Sequence, residues 1–211
     1  GYCQNDLSSF YLDVAKDVVY IEAADHPHRR AMQTVMFDSL MAILKLATPI
    51  IPHTTDEMWG YLGFVGEESV QLTDFPESQE NPAFADLEAK WSQFMDVRDA
   101  VLKALEEARA AKVIGKSLEA KVTVFGNEEL KNLLSSVDDN VAQLFIVSQY
   151  EFGGAEAPEN ALKLNDAAVV VEKAEGEKCE RCWTVSKEIG QSEAHPTLCP
   201  RCASVVETQY A

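Results

Sequence analysis

Four cysteines near the end of the sequence constrain its fold more than any other feature. Cys179 and Cys182 form one C-x-x-C pair, Cys199 and Cys202 form a second, and sixteen residues separate the two pairs. A C-x-x-C turn directs two sulfur atoms at one metal ion, and two pairs at this separation complete a tetrahedral site. The spacing therefore predicts one structural Zn²⁺ ion. Because the protein supplies all four ligands, no position remains for an activated water, and the metal is expected only to stabilise the fold.

Other uses of these cysteines fit the sequence less well. Disulfides need an oxidising compartment, yet no signal peptide and no apolar span of about eighteen residues is seen, and Cys3 has no pair. A thioredoxin-like C-x-x-C begins a helix in a βαβ unit, and we expect neither pair to do so. With four thiolates present, His195 is expected to be a solvated loop residue. We expect Cys3 to be buried, as unpaired cysteines commonly are.

Charge restricts the classes of partner. The chain has 211 residues, 46% of them hydrophobic, and a formal net charge of −17. Such an acidic chain is not expected to coat nucleic acid by bulk electrostatics, so any nucleic-acid contact must be local. Two stretches reverse the sign: residues 98–121 carry six basic and four acidic residues, and residues 178–202 carry four and three. We expect a soluble, cytosolic protein.

Apolar periodicity predicts a helical first half. Residues spaced by three and four indicate helices over about 5–22, 29–47 and 81–112. The second of these is apolar around much of its circumference, which predicts a central position in a bundle. The sequence Thr54-Thr-Asp-Glu57 matches a capping box and predicts the start of a further short helix. Arg98 falls on the apolar stripe of the long helix. We favour a position at the edge of the stripe, with its head in water, over burial against a carboxylate.

The period changes to two after Ser117, which predicts a strand over residues 117–124. Asn127 is expected to cap the helix that follows, and a valine-rich run at residues 167–171 predicts another strand. These elements indicate a small α+β subdomain. No nucleophile, base and carboxylate are arranged as a catalytic site, and residues 114–117 lack the first glycine of a P-loop. The residues alone therefore predict a recognition module with a zinc site.

Several segments resemble one known family in the same order along the chain. They are Asn5-Asp6 with Lys16-Asp17, Arg30-Ala-Met-Gln-Thr34, Ile43-Leu-Lys-Leu-Ala-Thr-Pro-Ile-Ile-Pro-His-Thr-Thr-Asp-Glu-Met-Trp59, Ile114-Gly-Lys-Ser-Leu-Glu-Ala-Lys121 and Lys178-Cys-Glu-Arg-Cys-Trp183. Together they resemble the C-terminal part of bacterial isoleucyl-tRNA synthetases, which are class I aminoacyl-tRNA synthetases. The proline-histidine-threonine stretch is similar in the valyl, leucyl and methionyl relatives, and the four-cysteine ribbon narrows the resemblance to the isoleucyl family.

The resemblance implies a fold and a domain order. The fold is expected to be mainly α: a helical anticodon-binding bundle, a small α+β subdomain and a C-terminal zinc ribbon. The corresponding domains are residues 1–115, 116–174 and 175–211.

The resemblance also implies a function within a larger enzyme. The chain would position tRNA(Ile) by its anticodon region for ATP-dependent attachment of isoleucine. The HIGH and KMSKS motifs of the family are absent from the sequence, so the chain alone is expected to be inactive. ATP and Mg²⁺ would belong to the catalytic domain of the parent enzyme. The expected partners are tRNA(Ile) and the remainder of the synthetase chain, in a cytoplasmic monomer without a membrane contact.

Within the ribbon, five residues are candidates for tRNA contact. Trp183 either stacks on an unpaired base or packs over the metal turn as a miniature core, and the sequence leaves both open. The phosphate-contact candidates are Lys178, Arg181, Lys187 and Arg201. The two arginines lie inside the C-x-x-C turns, where a cation also offsets the charge of −2 that four thiolates leave on one Zn²⁺.

Two other functions remain open on the sequence. The cysteine spacing is similar to that of the DNA-binding zinc finger of formamidopyrimidine-type glycosylases, although this chain starts with Gly1 and not with the catalytic proline of those enzymes. Alternatively, the acidic helical face could serve as a protein-interaction scaffold, which would show no dependence on tRNA.

Overall fold

Helices account for most of the regular structure, and small sheets complete it. The computed structural model describes residues 1–63, 66–78, 81–138 and 140–209. The chain divides into a large unit, Gly1–Ala23 with Pro82–Ala211, and a small unit, Ala24–Asn81. The domain boundaries expected after residues 115 and 174 both lie inside the large unit and stay predictions. No helix among the described residues has both the length and the apolar content to cross a membrane.

The helices and strands of the described residues have the following bounds. They are α1 (Leu12–Ile21, preceded by a π-helical segment, Cys3–Tyr11), α2 (Pro27–Ala47), α3 (Pro52–Gly60), α4 (Ala83–Ala110), α5 (Glu128–Val137), α6 (Val141–Phe145) and α7 (Pro200–Gln209). The strands are β1 (Ala120–Phe125), β2 (Gln149–Gly154), β3 (Leu162–Leu164), β4 (Ala167–Lys173), β5 (Glu177–Lys178) and β6 (Val185–Ser186). Helices occur in all three segments where the periodicity predicts them, although the first of these segments is π-helical over Cys3–Tyr11 and α-helical only from Leu12.

Proline decides where two of the helices begin. α2 begins at Pro27 and α3 at Pro52, because the missing N–H of proline is not needed in a first turn. The capping box predicted at residues 54–57 is therefore wrong. Thr55 lies inside α3, and its hydroxyl donates to the carbonyl of Ile51 at 3.2 Å.

The small unit has a compact apolar centre of three buried residues, Leu44, Trp59 and Val70. The indole N–H of Trp59 donates to the carbonyl of Glu67 at 2.9 Å. The prediction that α2 is central in a bundle is wrong, since only Leu44 of its residues is buried. Within this unit α2 meets α3 and a 3₁₀ turn (Val70–Leu72), which cover the face around Leu44 and leave other apolar residues such as Leu46 exposed.

A four-stranded sheet in the order β2-β1-β4-β3 forms the centre of the large unit. β1 pairs in parallel with β2 and antiparallel with β4, with Val122 opposite Tyr150 and Val171. The parallel pair needs a crossover, and α5 and α6 provide it. The predicted capping by Asn127 is confirmed, because its Oδ1 accepts the N–H of Leu130 at 2.9 Å. The valine-rich strand is confirmed as β4, while the strand expected from Ser117 begins three residues later, after a 3₁₀ turn (Ser117–Glu119).

Aromatic rings join α4 to the crossover. Phe94 is fully buried and stacks on Phe145 with ring centroids 5.6 Å apart and planes 8° from parallel. Trp91 meets Phe94 edge-on at 5.4 Å. These offset and edge contacts are the arrangements that aromatic rings favour. They place Phe94 at the middle of the large unit's core.

Arg98 is buried in this core, so the preferred prediction, a head in water, is wrong. Its side chain is only 5% exposed. Its Nε donates to the carbonyl of Leu144 at 3.3 Å, and its guanidinium lies 4.8 Å from the ring centroid of Phe10. A backbone carbonyl and an aromatic face replace part of the water around the cation. Burial nevertheless lowers the pKa of Arg98.

Candidate metal centre and nucleic-acid interface

The two cysteine pairs are carried by different elements. β5 and β6 form a hairpin in which Lys178 pairs with Val185, and its connecting turn carries Cys179 and Cys182. Two backbone bonds close this turn: the N–H of Cys179 donates to the carbonyl of Thr184, and that of Trp183 to the carbonyl of Cys179, each at 2.9 Å. The hairpin therefore points both sulfur atoms of the first pair to the same side.

The second pair lies at the N-terminus of α7, with Cys199 just before Pro200 and Cys202 in the first turn. The second pair therefore begins a helix, whereas the expectation concerned a helix within a βαβ unit. Proline in the first turn favours a helix start there, since it lacks the N–H that the turn does not use. A thioredoxin arrangement is still not formed, because the two-stranded antiparallel hairpin before α7 is not part of a βαβ unit.

All four cysteines converge and are buried. The four Sγ atoms all lie within 4.8 Å of one another, and those of Cys182 and Cys199 are 3.8 Å apart. A tetrahedral site with Zn–S bonds of about 2.3 Å separates its sulfurs by about 3.8 Å. The donor set and its spacing therefore fit one Zn²⁺ ion. His195 does not belong to this group. The fifth cysteine, Cys3, is exposed, so its expected burial is wrong: it begins the π-helical segment, in which no residue is buried.

The cluster favours the thiolate form at one of its members. A hydrogen bond from the thiol of Cys202 lowers the pKa of Cys182 to about 4, and the same bond raises the pKa of Cys202. The backbone N–H of Cys199 donates to the sulfur of Cys179 at 3.4 Å. Metal ligation requires deprotonated sulfur, so binding of an ion by this group would release protons.

The segment from β5 to α7 carries all four cysteines and is called the cysteine module below. It does not complete its apolar core by itself. Ile21, at the end of α1, is buried among the four cysteines, and Ile189 and Leu198 pack against the group. A residue from the start of the chain thus belongs to the core of a module near its end.

Both arginines of the C-x-x-C turns are engaged with protein groups of α1. Arg181 donates from Nη1 to the carbonyl of Ile21 at 2.8 Å and reaches the sulfur of Cys202 at 3.6 Å. Arg201 makes two hydrogen bonds to Asp17, at 2.6 and 2.8 Å, and lies 3.4 Å from Glu22. Burial alone would lower the pKa of Arg201, but the hydrogen bonds and charge of Asp17 outweigh it and raise that pKa.

The remaining candidates lie on the surface. Lys187 forms an ion pair with Glu175. Trp183 is 56% exposed, and two ammonium groups lie over its ring: Nζ of Lys178 at 5.1 Å and Nζ of Lys116 at 5.8 Å from the centroid. The ring is therefore mostly outside the cysteine core. Sequence reasoning did not select Lys116, although it belongs to a net-basic stretch, because nothing local places it beside Trp183.

A carboxylate organises the turn that carries Lys116. Oε2 of Glu119 accepts the N–H groups of Gly115 at 2.8 Å and Lys116 at 3.4 Å. These two hydrogen bonds lower the pKa of Glu119, and the bond from Gly115 has the larger effect. The N–H groups of Gly115 and Lys116 are therefore already bound by a carboxylate of the chain itself.

Replacing this carboxylate is expected to change the pH dependence of stability. Because the pKa of Glu119 is lower in the folded chain than in the unfolded one, its stabilising effect is present at neutral pH and disappears as the pH falls through the lowered pKa. Glu119→Gln should lower the thermal midpoint at pH 7, and the difference from the original chain should shrink in acid. Melting curves at several pH values measure this, with exposed Glu106→Gln on α4 as control. A difference independent of pH contradicts the prediction.

A cavity of about 650 Å³ opens beside Trp183. It is lined by residues of α1, including Lys16 and the exposed Tyr20, by the turn that carries Cys182 and Trp183, and by residues of and after α6. The cavity lies wholly within the large unit.

Comparison with known proteins agrees with these features. Residues 1–124 match the family model described as "Anticodon-binding domain of tRNA ligase", and residues 176–205 match "Zinc finger found in FPG and IleRS". Proteins named isoleucine–tRNA ligase from Bacillus licheniformis, Bacillus mycoides and Bacillus cereus are each 56% identical over 212 aligned residues, covering 100% of this chain. The chain spans 23% of the length of these relatives. The first family model covers more than half of the chain, and the chain therefore belongs to the anticodon-binding domain family of tRNA ligases.

Proposed function

We propose that this chain is the tRNA-recognition region of an isoleucyl-tRNA synthetase. In the whole enzyme it positions tRNA(Ile) by its anticodon region for ATP-dependent attachment of isoleucine. The main support is the membership in the anticodon-binding domain family, together with relatives named isoleucine–tRNA ligase that align with the whole chain. ATP and Mg²⁺ act in other parts of such an enzyme, and we assign no catalytic step to the residues of this chain. We place the enzyme in the cytoplasm, since cysteines that converge as one group rather than pair as disulfides suit a reducing compartment. We also expect it to be a monomer.

The domain order that we propose follows the resemblance. Residues 1–115 form the helical anticodon-binding part, residues 116–174 the α+β junction and residues 175–211 the zinc ribbon. Cys179, Cys182, Cys199 and Cys202 hold one structural Zn²⁺ ion, a proposal supported by their convergence and by the zinc-finger match. The ion, when bound, supplies shape only. The hairpin and α7 then present their outer side chains in a constant geometry.

Trp183 is the residue that we propose to stack on an unpaired base of the tRNA. Its φ of 67° lies in the left-handed region, which a bulky residue adopts only at a cost of about 1–3 kcal/mol. Glycine would fit this turn without that cost. A large, exposed ring at a strained position is better explained by an external contact than by the stability of the turn. Stacking on such a ring accepts any base, which suits an anticodon loop.

Charge around the ring supports the same role. Lys178 and Lys116, whose ammonium groups lie over the ring of Trp183 in the free chain, would give way to a stacking base and move to the phosphates of that nucleotide. Arg181, Lys187 and Arg201 remain candidates, but each already has a protein partner, and we expect smaller contributions from them. The net charge of −17 repels RNA elsewhere, so binding should be weak, local and reduced by salt.

Two substitutions of Trp183 test the proposal. Trp183→Gly removes the ring and relieves the backbone strain, whereas Trp183→Ala removes the ring and keeps the strain. Both should retain zinc, and Trp183→Gly should be at least as stable as the original chain. Both should weaken tRNA(Ile) binding by about 5- to 150-fold, since stacking on one aromatic ring contributes about 1–3 kcal/mol. Asn160→Ala, at an exposed neutral residue of the proposed α+β junction, is the control.

Filter binding of labelled nucleic acids at several salt concentrations measures these effects. Unchanged affinity of both Trp183 variants would remove this residue from the interface. Duplex DNA of equal length separates the rival functions. Preference for the duplex would favour the glycosylase-type finger, which the zinc-finger match also names. Binding to neither nucleic acid would favour a protein-interaction scaffold.

A further inference from the structure

Each C-x-x-C turn carries an arginine at its third position, in Cys-Glu-Arg-Cys and Cys-Pro-Arg-Cys. The two arginines, Arg181 and Arg201, both reach the last turn of α1, across 160 and 184 residues of sequence. Arginines within metal-binding turns are expected to face solvent or to offset the charge of the sulfurs. Here the two turns direct them to the same short stretch of one helix.

Arg181 connects the cysteine cluster directly to the end of the helix. Nη1 of Arg181 donates to the carbonyl of Ile21 at 2.8 Å and also lies 3.6 Å from the sulfur of Cys202. The last carbonyls of a helix have no partner within the helix, and a cation stabilises them. A site of four thiolates and one Zn²⁺ has a net charge of −2, so the same guanidinium also stabilises the site.

Arg201 provides a second and geometrically different link. It forms a bidentate pair with Asp17, and the side chains of the two residues are only 33% and 29% exposed. The planar guanidinium matches a carboxylate in this manner with high directional preference. Between these two links, Ile21 is buried among the four cysteines. Charge, hydrogen bonding and apolar packing thus all join the module to one helical turn.

We infer that Arg181 and Arg201 couple metal binding at the cysteine site to the order of the last turn of α1. A metal ion orders the C-x-x-C turns, and the ordered turns hold both guanidinium groups against the helix. Because such coupling is reciprocal, a change in α1 must alter the affinity of the cysteine site for zinc. The inference does not depend on RNA binding.

The decisive variant lies on α1, far in sequence from any cysteine. Asp17→Asn in the full chain should weaken zinc binding by about tenfold, within the range of about 5- to 150-fold that is usual for coupled sites. Asp13→Asn is the matched control, since Asp13 lies one turn earlier on the same helix and pairs with Lys16. Competition with a calibrated chelator measures the zinc dissociation constant. Asp13→Asn should leave it within about twofold.

Two further measurements guard against a general loss of stability. Arg201→Met combined with Asp17→Asn should weaken zinc binding less than the product of the single effects, because both remove the same link. Chelation should speed the hydrogen exchange of the backbone amides of residues 19–22 in the original chain. In Arg201→Met, the increase caused by chelation should be smaller. Zinc affinity of Asp17→Asn equal to that of Asp13→Asn, with amide exchange in α1 unaffected by chelation, would overturn the inference.

Discussion

Removal of zinc from the loaded chain is expected to unfold residues 175–209 and to loosen the last turn of α1. The apolar core of the module is small: Ile21, Ile189 and Leu198 pack around the cysteines, and Ala203 and Val205 of α7 are also buried. This is too little apolar surface for a segment of this length to fold alone. Structural zinc contributes an apparent free energy of about 10–16 kcal/mol in small finger peptides at neutral pH. Without the ion, four clustered sulfurs also repel one another once more than one is deprotonated.

Hydrogen exchange, read by mass spectrometry before and after verified removal of the metal, measures this effect. Amides of β5, β6 and α7 should lose protection, whereas those of β1 and α4 should keep it, because their core is formed by other residues. Cys202→Ser should resemble the metal-free chain. Cys3→Ser, in an exposed cysteine outside the cluster, is the matched control and should behave as the original chain. Protection of the module that survives complete metal removal would contradict a structural role for zinc.

Phe94→Ala is expected to lower the free energy of unfolding of the large unit by about 3–5 kcal/mol, the usual cost of truncating a buried phenylalanine. Phe94 is fully buried, and its ring contacts Trp91 and Phe145. Truncation removes these two ring contacts and that with Phe10, and it leaves a cavity between α4 and the crossover of the sheet. The neighbouring rings are held by separate elements and cannot collapse fully into the space.

Phe84→Ala is the matched control, because Phe84 lies on the same helix and is 50% exposed. It should change the free energy of unfolding by about 0.5 kcal/mol or less. Urea unfolding in the presence of saturating zinc, followed by circular dichroism at a helical wavelength, compares the variants at constant metal occupancy. Equal losses for the two variants would show that the core of the large unit is not centred on Phe94.

Local signals in this sequence predict local structure well when nothing stronger competes. Asn127 caps α5 as expected, because an Asn side chain reaches the N–H three residues later without help from the rest of the fold. The capping sequence at residues 54–57 fails for a reason that is also local. Pro52 begins α3 two residues earlier, so Thr54 and Thr55 lie inside the helix rather than at its end.

Burial of a charged side chain is not decided locally. Arg98 lies on an apolar stripe, and its general tendency to keep its head in water favours an edge position. The carbonyl of Leu144 and the ring of Phe10 make burial acceptable, and both belong to segments distant in sequence. The partner groups of an arginine become known only when these segments are placed.

The sequence by itself determined where the main helices and the valine-rich strand lie, and it supplied the four sulfur donors of the proposed zinc site. Helical and strand periods are set within a few residues, and the spacing of Cys179, Cys182, Cys199 and Cys202 specifies four sulfur ligands for one ion. Tertiary structure decided what surrounds that site. It brought Asp17 and Ile21 against the cysteine turns and Lys116 over the ring of Trp183. Such contacts join residues far apart along the chain, and they depend on how packed elements meet rather than on any local spacing.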